Sequence, residues 1–390
     1  MAKGETGRDS EVTPYVEGSK MRSLRVPAAL ALLTLGLSLH CTRADKEEDR
    51  VVRNVEEWGG SVSRDDRAPN RPVVAVTLVG PRAGDEEVSQ LSQFKQLRQV
   101  YLLDARITSQ GLKALKDLEK LHSVFLEGDF VTDATLRGLN ALRNVRVLGL
   151  TRTRITDVGM DEIKALKELQ SLSLGSTSVT DKGLGRIKEL QGLQELYLGL
   201  TDVNGTGLKD FGSFKRLCVL SLQMTRVTDA GLEELKRLEV LKELNLSGCD
   251  VTDKGLTKVR DLSGLRKLNL NNTKITDKGL KELQGLSALQ SLDLSETAVT
   301  DRGLTQLRAL STLEELRLAD TGITDAGLRE LGDHRRLELL SLNRTQVTDE
   351  GLSMLASLKN LSSVYVMGTK VTSDGVKQLQ NKLPRCHVAR

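Results

Sequence analysis

Leu169 to Gln191 reads LQSLSLGSTSVTDKGLGRIKELQ, and most of the chain is this stretch written again and again. It opens with Leu169-x-x-Leu172-x-Leu174, whose alternation of apolar and polar residues predicts a short half-buried strand. Its second half places Leu184, Ile187 and Leu190 three apart, the spacing of a short helix. Between them stands Thr180-Asp181. A hydroxyl or carboxylate just before an apolar helical run is an N-cap signal, and an acid also suits the positive end of the helix dipole.

The anchor Leu184 recurs every 24 residues without insertion or deletion, from Leu112, Leu136 and Met160 to Leu352 and Val376, with Val88 as a weaker first copy. The inward strand position is Leu or Val from Val76 to Val364, and its partner two residues on is Leu until the last copy, Val366. Thr fills one register at 153, 177, 201, 225, 273, 297, 321, 345 and 369, with Cys249 in the same place in its own copy. A small polar group there suits a turn where the strand leaves the sheet and backbone groups need partners. The Asp of the motif returns at 133, 157, 181, 229, 253, 277, 301, 325 and 349.

A fixed period of this length means stacked supersecondary units, each touching only its neighbours. The expected fold is therefore an α/β right-handed solenoid with a parallel sheet on its concave face and short helices on its convex face. About 13 strands at ~4.8 Å make a sheet of about 58 Å. Helices need roughly 8–10 Å between axes, so an arc is expected.

The pattern LxxLxLxxTxVTDxGLxxLxxL resembles the bacterial leucine-rich-repeat proteins of the TD-x-GL kind, abundant in planctomycete-type genomes. It is more distantly similar to the cysteine-containing leucine-rich repeats of F-box substrate receptors. The likeness covers about residues 73 to 380. Trp58-Gly59-Gly60 through Pro72-Val73-Val74 resembles the leader of the bacterial group, and Leu383-Pro384-Arg385-Cys386 its usual ending. The resemblance implies a binding scaffold and names no ligand. The expected organisation is 1–44 as extension and export signal, 45–72 as leader and N-terminal cap, 73–380 as solenoid and 381–390 as C-terminal cap.

The export reading rests on Met21, Arg22 and Arg25, the apolar run Val26–Leu39, and Thr42-Arg43-Ala44 before a charged stretch. The run is too short for a comfortable membrane span. Residues 1–20 carry three basic and four acidic side chains, a poor n-region, so Met21 is an alternative start. Cleavage after Ala44 is the preferred reading. Acylation at Cys41 fits less well, because Ser38-Leu39-His40 lacks the small residues that processing favours, and an uncleaved anchor is the remaining alternative. The expected location is the periplasm, the cell envelope or the medium. Without residues 1–44 the chain has 51 basic and 49 acidic residues, which offers no electrostatic case for nucleic acid. Cys218, Cys249 and Cys386 would remain, too few and too scattered for a disulfide framework. A monomer is expected.

Side chains flanking the inward leucines point out of the sheet. Four of the chain's ten aromatic residues fall in that register: Tyr101, Phe125, Tyr197 and Tyr365. Tyr101 and Phe125 lie one repeat apart, so their rings are expected on adjacent strands as one apolar patch suited to a protein or peptide partner; cross-strand packing that shields the sheet is the structural alternative. Leu103, Met224, Glu315 and Arg317 complete the candidate protein-binding residues. Phe94, Phe211 and Phe214 fall at helical anchor positions and are read as core, and Trp58 as a lid on the first repeat.

Nothing in the sequence reads as an active site. There is no Walker-type loop, no G-x-S-x-G elbow and no H-E-x-x-H. The unbroken frame leaves no inserted loops to enclose a substrate. His122, His334 and His387 sit in distant repeats and read as surface or rim histidines. Capping explains the Asp ladder without calcium, so no metal or cofactor is expected. The expected function is a non-enzymatic, exported protein-binding scaffold. The alternatives are a structural envelope component and an adaptor resembling F-box receptors, the latter needing an N-terminal helical segment that residues 1–72 do not offer.

Overall fold

A computed structural model describes residues 43–390. The apolar run Val26–Leu39 and Cys41 lie outside those residues, and so does the export reading. Among the described residues no helix is long and apolar enough to cross a membrane.

Helix α1 (Arg43–Glu57) leads into β1 (Ser61–Arg64), β2 (Val73–Val79), β3 (Gln99–Leu103), β4 (Ser123–Glu127) and β5 (Val147–Gly149). Ten more strands of three residues follow, from Ser171–Ser173 to His387–Ala389. The fifteen strands form one open sheet in strict sequence order. β1 pairs antiparallel with β2, and each later pair is parallel, displaced by one 24-residue period: Val76 opposes Val100, which opposes Val124. β2 to β4 are longer than the rest because VVAVTLV, QVYLL and SVFLE are rich in β-branched and aromatic residues.

Both inward positions of every repeat are buried, from Val76 and Leu78 to Val364 and Val366, and together with the helical anchors they make one continuous core. At its first end Val51 and Val55 of α1 are fully buried and Trp58 packs against the same core. The Glu48 carboxylate accepts hydrogen bonds from Arg64 at 3.1 Å and from the Val73 N–H at 3.2 Å, which ties α1 to the first two strands. At the other end the last strand opposes Val388 to Val364, and Arg390 donates to the Val371 carbonyl.

After each strand the chain turns through one left-handed residue, among them Arg152, Ser176, Leu200, Met224, Asn272 and Glu296, with Gly128, Gly248 and Gly368 in the same register. The Thr ladder comes next. Each hydroxyl donates to the carbonyl three residues back, at 2.7 Å for Thr153 and 2.6 Å for Thr177 and Thr273, and so satisfies a buried acceptor at the turn. Cys249 bonds differently, its thiol donating to the Leu222 carbonyl one repeat earlier.

The Asp ladder does more than cap helices, and here the sequence expectation needs correction. Thr, not Asp, is the N-cap: Thr180 has extended backbone and its hydroxyl accepts from the Lys182 N–H. The Asp that follows reaches across to the next repeat. Asp157 takes the Thr180 N–H on Oδ1 and the Thr180 hydroxyl on Oδ2, both at 2.8 Å. Asp253 does the same to Thr276, Asp277 to Thr300 and Asp325 to Thr348. The Thr372 hydroxyl and N–H likewise hold the Asp349 carboxyl below the usual carboxylate range. The same geometry explains the glycine of TD-x-G. A Cβ at Gly303 would lie 2.5 Å from Oδ1 of Asp277, and one at Gly327 2.4 Å from Oδ1 of Asp301.

Besides the last copy, where Ser373 replaces it, two places lack the acid. Ser109 and Gly205 stand where the copies around them carry Asp, and no carboxylate clamps Thr132 or Thr228 among the described residues. At the second place Gly205 turns with φ +98°, and a Cβ there would meet the Gly231 Cα at 2.5 Å, so two glycine backbones touch where a carboxylate normally sits.

The return segments are short, as expected, and many of them are wound more tightly than an α-helix. Thr206–Ser213, Asp229–Arg237 and Leu280–Gly285 are 3₁₀ throughout, and the others are α turns of four to seven residues, five of them followed by a 3₁₀ turn, until the last, Ser373–Lys382. A 3₁₀ turn rises about 2.0 Å per residue against about 1.5 Å in an α-helix, so a short return path spans the same width with fewer residues. His334 is also a correction. It occupies an anchor position that is Leu310 and Leu358 in the neighbouring copies and is 1% exposed, its Nε2 facing the Leu307 carbonyl at 3.0 Å while Nδ1 has no partner.

Candidate protein-binding face

The exposed side of the sheet carries the residues between the inward leucines. On β3 and β4, Tyr101 and Phe125 are paired in register, their rings stacked with centroids 4.5 Å apart and planes 2° from parallel. On β5 the same position is Gly149, and a Cβ there would lie 2.5 Å from Cδ1 of Phe125. The ring leans into the space a side chain would fill. Stacking worth about 0.5–1.5 kcal/mol beyond burial fixes the pair, so it meets a partner with little further ordering cost. The Tyr101 hydroxyl lies 3.3 Å from Gln99 Oε1 on the same strand. Leu103 extends the patch, half-buried between Val79 of β2 and Glu127 of β4, with Val79 47% exposed.

The remaining candidates do not join this patch. Tyr197 stands three strands beyond Phe125, about 14 Å along the sheet, with its hydroxyl 3.4 Å from Glu195. Met224 follows on the rim, in a left-handed turn and 54% exposed. Beside it Leu200, which the sequence reading missed, is also left-handed and 52% exposed. Glu315 and Arg317 neutralise each other in an ion pair of 3.2 Å. Tyr365 lies near the far end, opposite Ser341 and Ala389. Between these groups the face is polar and locally satisfied: Asn245, Asn269 and Asp293 each accept the N–H two residues on at 2.9 Å.

Both rims beside the aromatic pair carry groups that the sequence reading left out. On one, Arg106 lies over the exposed Phe130 ring, 4.9 Å from its centroid. On the other, Arg98, His122 and Arg146 immediately precede β3, β4 and β5 and so stand side by side. They line an open cleft of about 760 Å³ with Glu119, Lys120 and Glu168. His122 shares a hydrogen bond of 2.9 Å between Nδ1 and Ser123 Oγ, and partial burial together with the Arg146 and Arg98 guanidiniums pushes its pKa down. Among the described residues no group of three or more His, Cys, Asp or Glu side chains is placed to hold a metal ion.

The leucine-rich-repeat family profile matches residues 238–259, 265–283, 309–332 and 335–356. An internalin from Listeria monocytogenes superposes with a TM-score of 0.61 at 21% identity, over 88% of this chain and 93% of that one. The fold is a leucine-rich-repeat solenoid. A leucine-rich-repeat protein of Leptospira interrogans aligns more loosely, with a TM-score of 0.46 and 19% identity over 77% of this chain and 92% of that one. No curated protein matches the sequence. Leucine-rich-repeat solenoids are typically non-enzymatic scaffolds for protein interaction.

Proposed function

We propose that this leucine-rich-repeat protein is an exported, non-catalytic scaffold of the bacterial TD-x-GL kind that holds a protein or peptide partner on the exposed face of its sheet. The stacked Tyr101–Phe125 pair carries the reading. Two aromatic rings presented on neighbouring strands of a rigid sheet, with Gly149 clearing the space beside them, have the composition and the rigidity of a binding hot spot. The isolated charges further along pair with one another and add little. Export rests on the apolar run Val26–Leu39 and on Ala44, after which the chain would begin at Asp45 inside α1.

Capture from envelope extracts tests the face. Wild type is expected to retain a partner that the Tyr101→Ser/Phe125→Ser double variant loses, while both give the same circular dichroism. Equal capture by the two proteins removes the pair from the site. A mature N-terminus sequenced near Asp45 supports export, and an intact Met1 on cytosolic protein argues against it.

A further inference from the structure

The aromatic pair has an electrostatic neighbour on the same three strands. Arg98, His122 and Arg146 stand three residues before Tyr101, Phe125 and Gly149, about 10 Å along the strand direction. Neighbouring members of the trio are one strand apart, about 4.8 Å. Arg98 and Arg146 flank the imidazole from either side, and the chain does not neutralise both of them. Arg98 reaches Asp65 at 3.1 Å, and Lys120 bonds Gln96. Arg146, by contrast, makes no side-chain hydrogen bond or ion pair among the described residues, and neither does Nε2 of His122. Glu119 and Glu168 line the same cleft, but the charges that act on the imidazole are the two guanidiniums.

We propose that this rim is a carboxylate site, in which His122 and Arg146 receive an acidic side chain of the polypeptide whose apolar residue packs against Tyr101 and Phe125. The proposal rests on the protein-binding reading of that aromatic pair and adds the chemistry of its partner. A carboxylate is the fitting occupant because it meets a planar guanidinium fork and an imidazole N–H with charge-assisted hydrogen bonds. A peptide in the polyproline II conformation returns to the same face every three residues, over about 9 Å, which matches the offset between rim and rings. Glu119, Lys120, Glu168 and Arg98 set the background field, and none of them supplies the missing anion.

The sign of the pH dependence follows. In the free protein partial burial, and after it the Arg146 and Arg98 guanidiniums, holds the pKa of His122 below its ordinary value near 6.5. A bound carboxylate favours the imidazolium, so binding raises the pKa of His122 and takes up a proton. Affinity is therefore greatest below the free-state pKa and falls as pH rises through the bound-state value.

The sequence holds only four histidines, at 40, 122, 334 and 387, so imidazole resonances of the full chain can be followed one by one. The probes are two acetylated, amidated hexapeptides, one with Leu and Glu three positions apart and one with Gln in place of that Glu. The Glu peptide is expected to move the His122 resonance and raise its titration midpoint. The Gln peptide should bind about tenfold more weakly, and Arg146→Gln should abolish the difference between them. Equal affinity for the two peptides, or no movement of His122 by either at millimolar concentration, overturns the proposal. Displacement of the Glu peptide by equimolar inorganic phosphate also overturns it, marking a general anion site. If Arg146→Gln leaves the Glu preference intact while Tyr101→Ser/Phe125→Ser loses binding, the carboxylate site fails and the aromatic reading stands. If that double variant keeps both the Glu preference and the affinity, the carboxylate site stands and the aromatic reading fails.

Discussion

Leu220→Asp should unfold the middle of the solenoid, whereas Ser221→Asp, one residue further on, should hardly register. Leu220 is 1% exposed and opposes Leu196 and Leu244 in the inward ladder. A carboxylate there would be buried against leucines on both sides, with no donor to receive it. An unpaired buried charge costs several kcal/mol even after its pKa has shifted. In a stack, each unit is held by its neighbours, so the loss spreads in both directions. Ser221 faces out between Tyr197 and Asn245, and an acid there stays hydrated, at a cost within about 0.5 kcal/mol. Urea unfolding followed by circular dichroism separates the two. Comparable losses of stability would mean that the strand faces are assigned the wrong way round.

The second large effect runs against helix propensity. Gly303 sits in the short helix Asp301–Leu304 with ordinary helical backbone, where alanine would normally be favoured by about 1 kcal/mol. Here Gly303→Ala should instead destabilise by about 2–4 kcal/mol, from overpacking and from lost hydrogen bonds to a charged group. Its Cβ would lie 2.5 Å from Oδ1 of Asp277 and 2.9 Å from Cδ1 of Leu280. Relief requires Asp277 to leave Thr300, breaking two bonds of 2.7 Å that join adjacent repeats. Asp277→Ala removes the obstacle, so the double variant Asp277→Ala/Gly303→Ala should lose clearly less stability than the sum of the two single changes. Strict additivity, or a stabilised Gly303→Ala, would show that the carboxylate does not occupy that position.

How far the sequence alone reached depends on the distance between interacting residues. The strand ladder, the buried faces, the core positions of Phe94, Phe211 and Phe214 and the adjacency of Tyr101 and Phe125 all follow from period and parity. Those signals are local, or displaced by one whole repeat. The Asp ladder was legible as a pattern but not as a contact. Its nearest explanation is a cap within its own helix, while its true partner lies 23 residues downstream. His334 looked like a rim residue because its type outweighed its register, although the leucines on either side of it in the ladder are buried. Leu200, Phe130 and Arg146 occupy positions where the repeats show no consistent residue type, so periodicity gave no reason to single them out. Only side-chain geometry revealed the mutual cancellation of Glu315 and Arg317.

The missing acid at Gly205 acquires a meaning when assembly is considered. Near-identical rungs carry no address, because the Asp of one repeat would fit the Thr of almost any other, and a nascent stack could join out of turn. The contact between Gly205 and Gly231 breaks that uniformity, since a side chain in place of Gly205 would collide with the apposed backbone. A stack shifted by one repeat would set a side chain against that glycine backbone, so the irregular joint is expected to penalise mis-stacking more than the uniform stretches on either side.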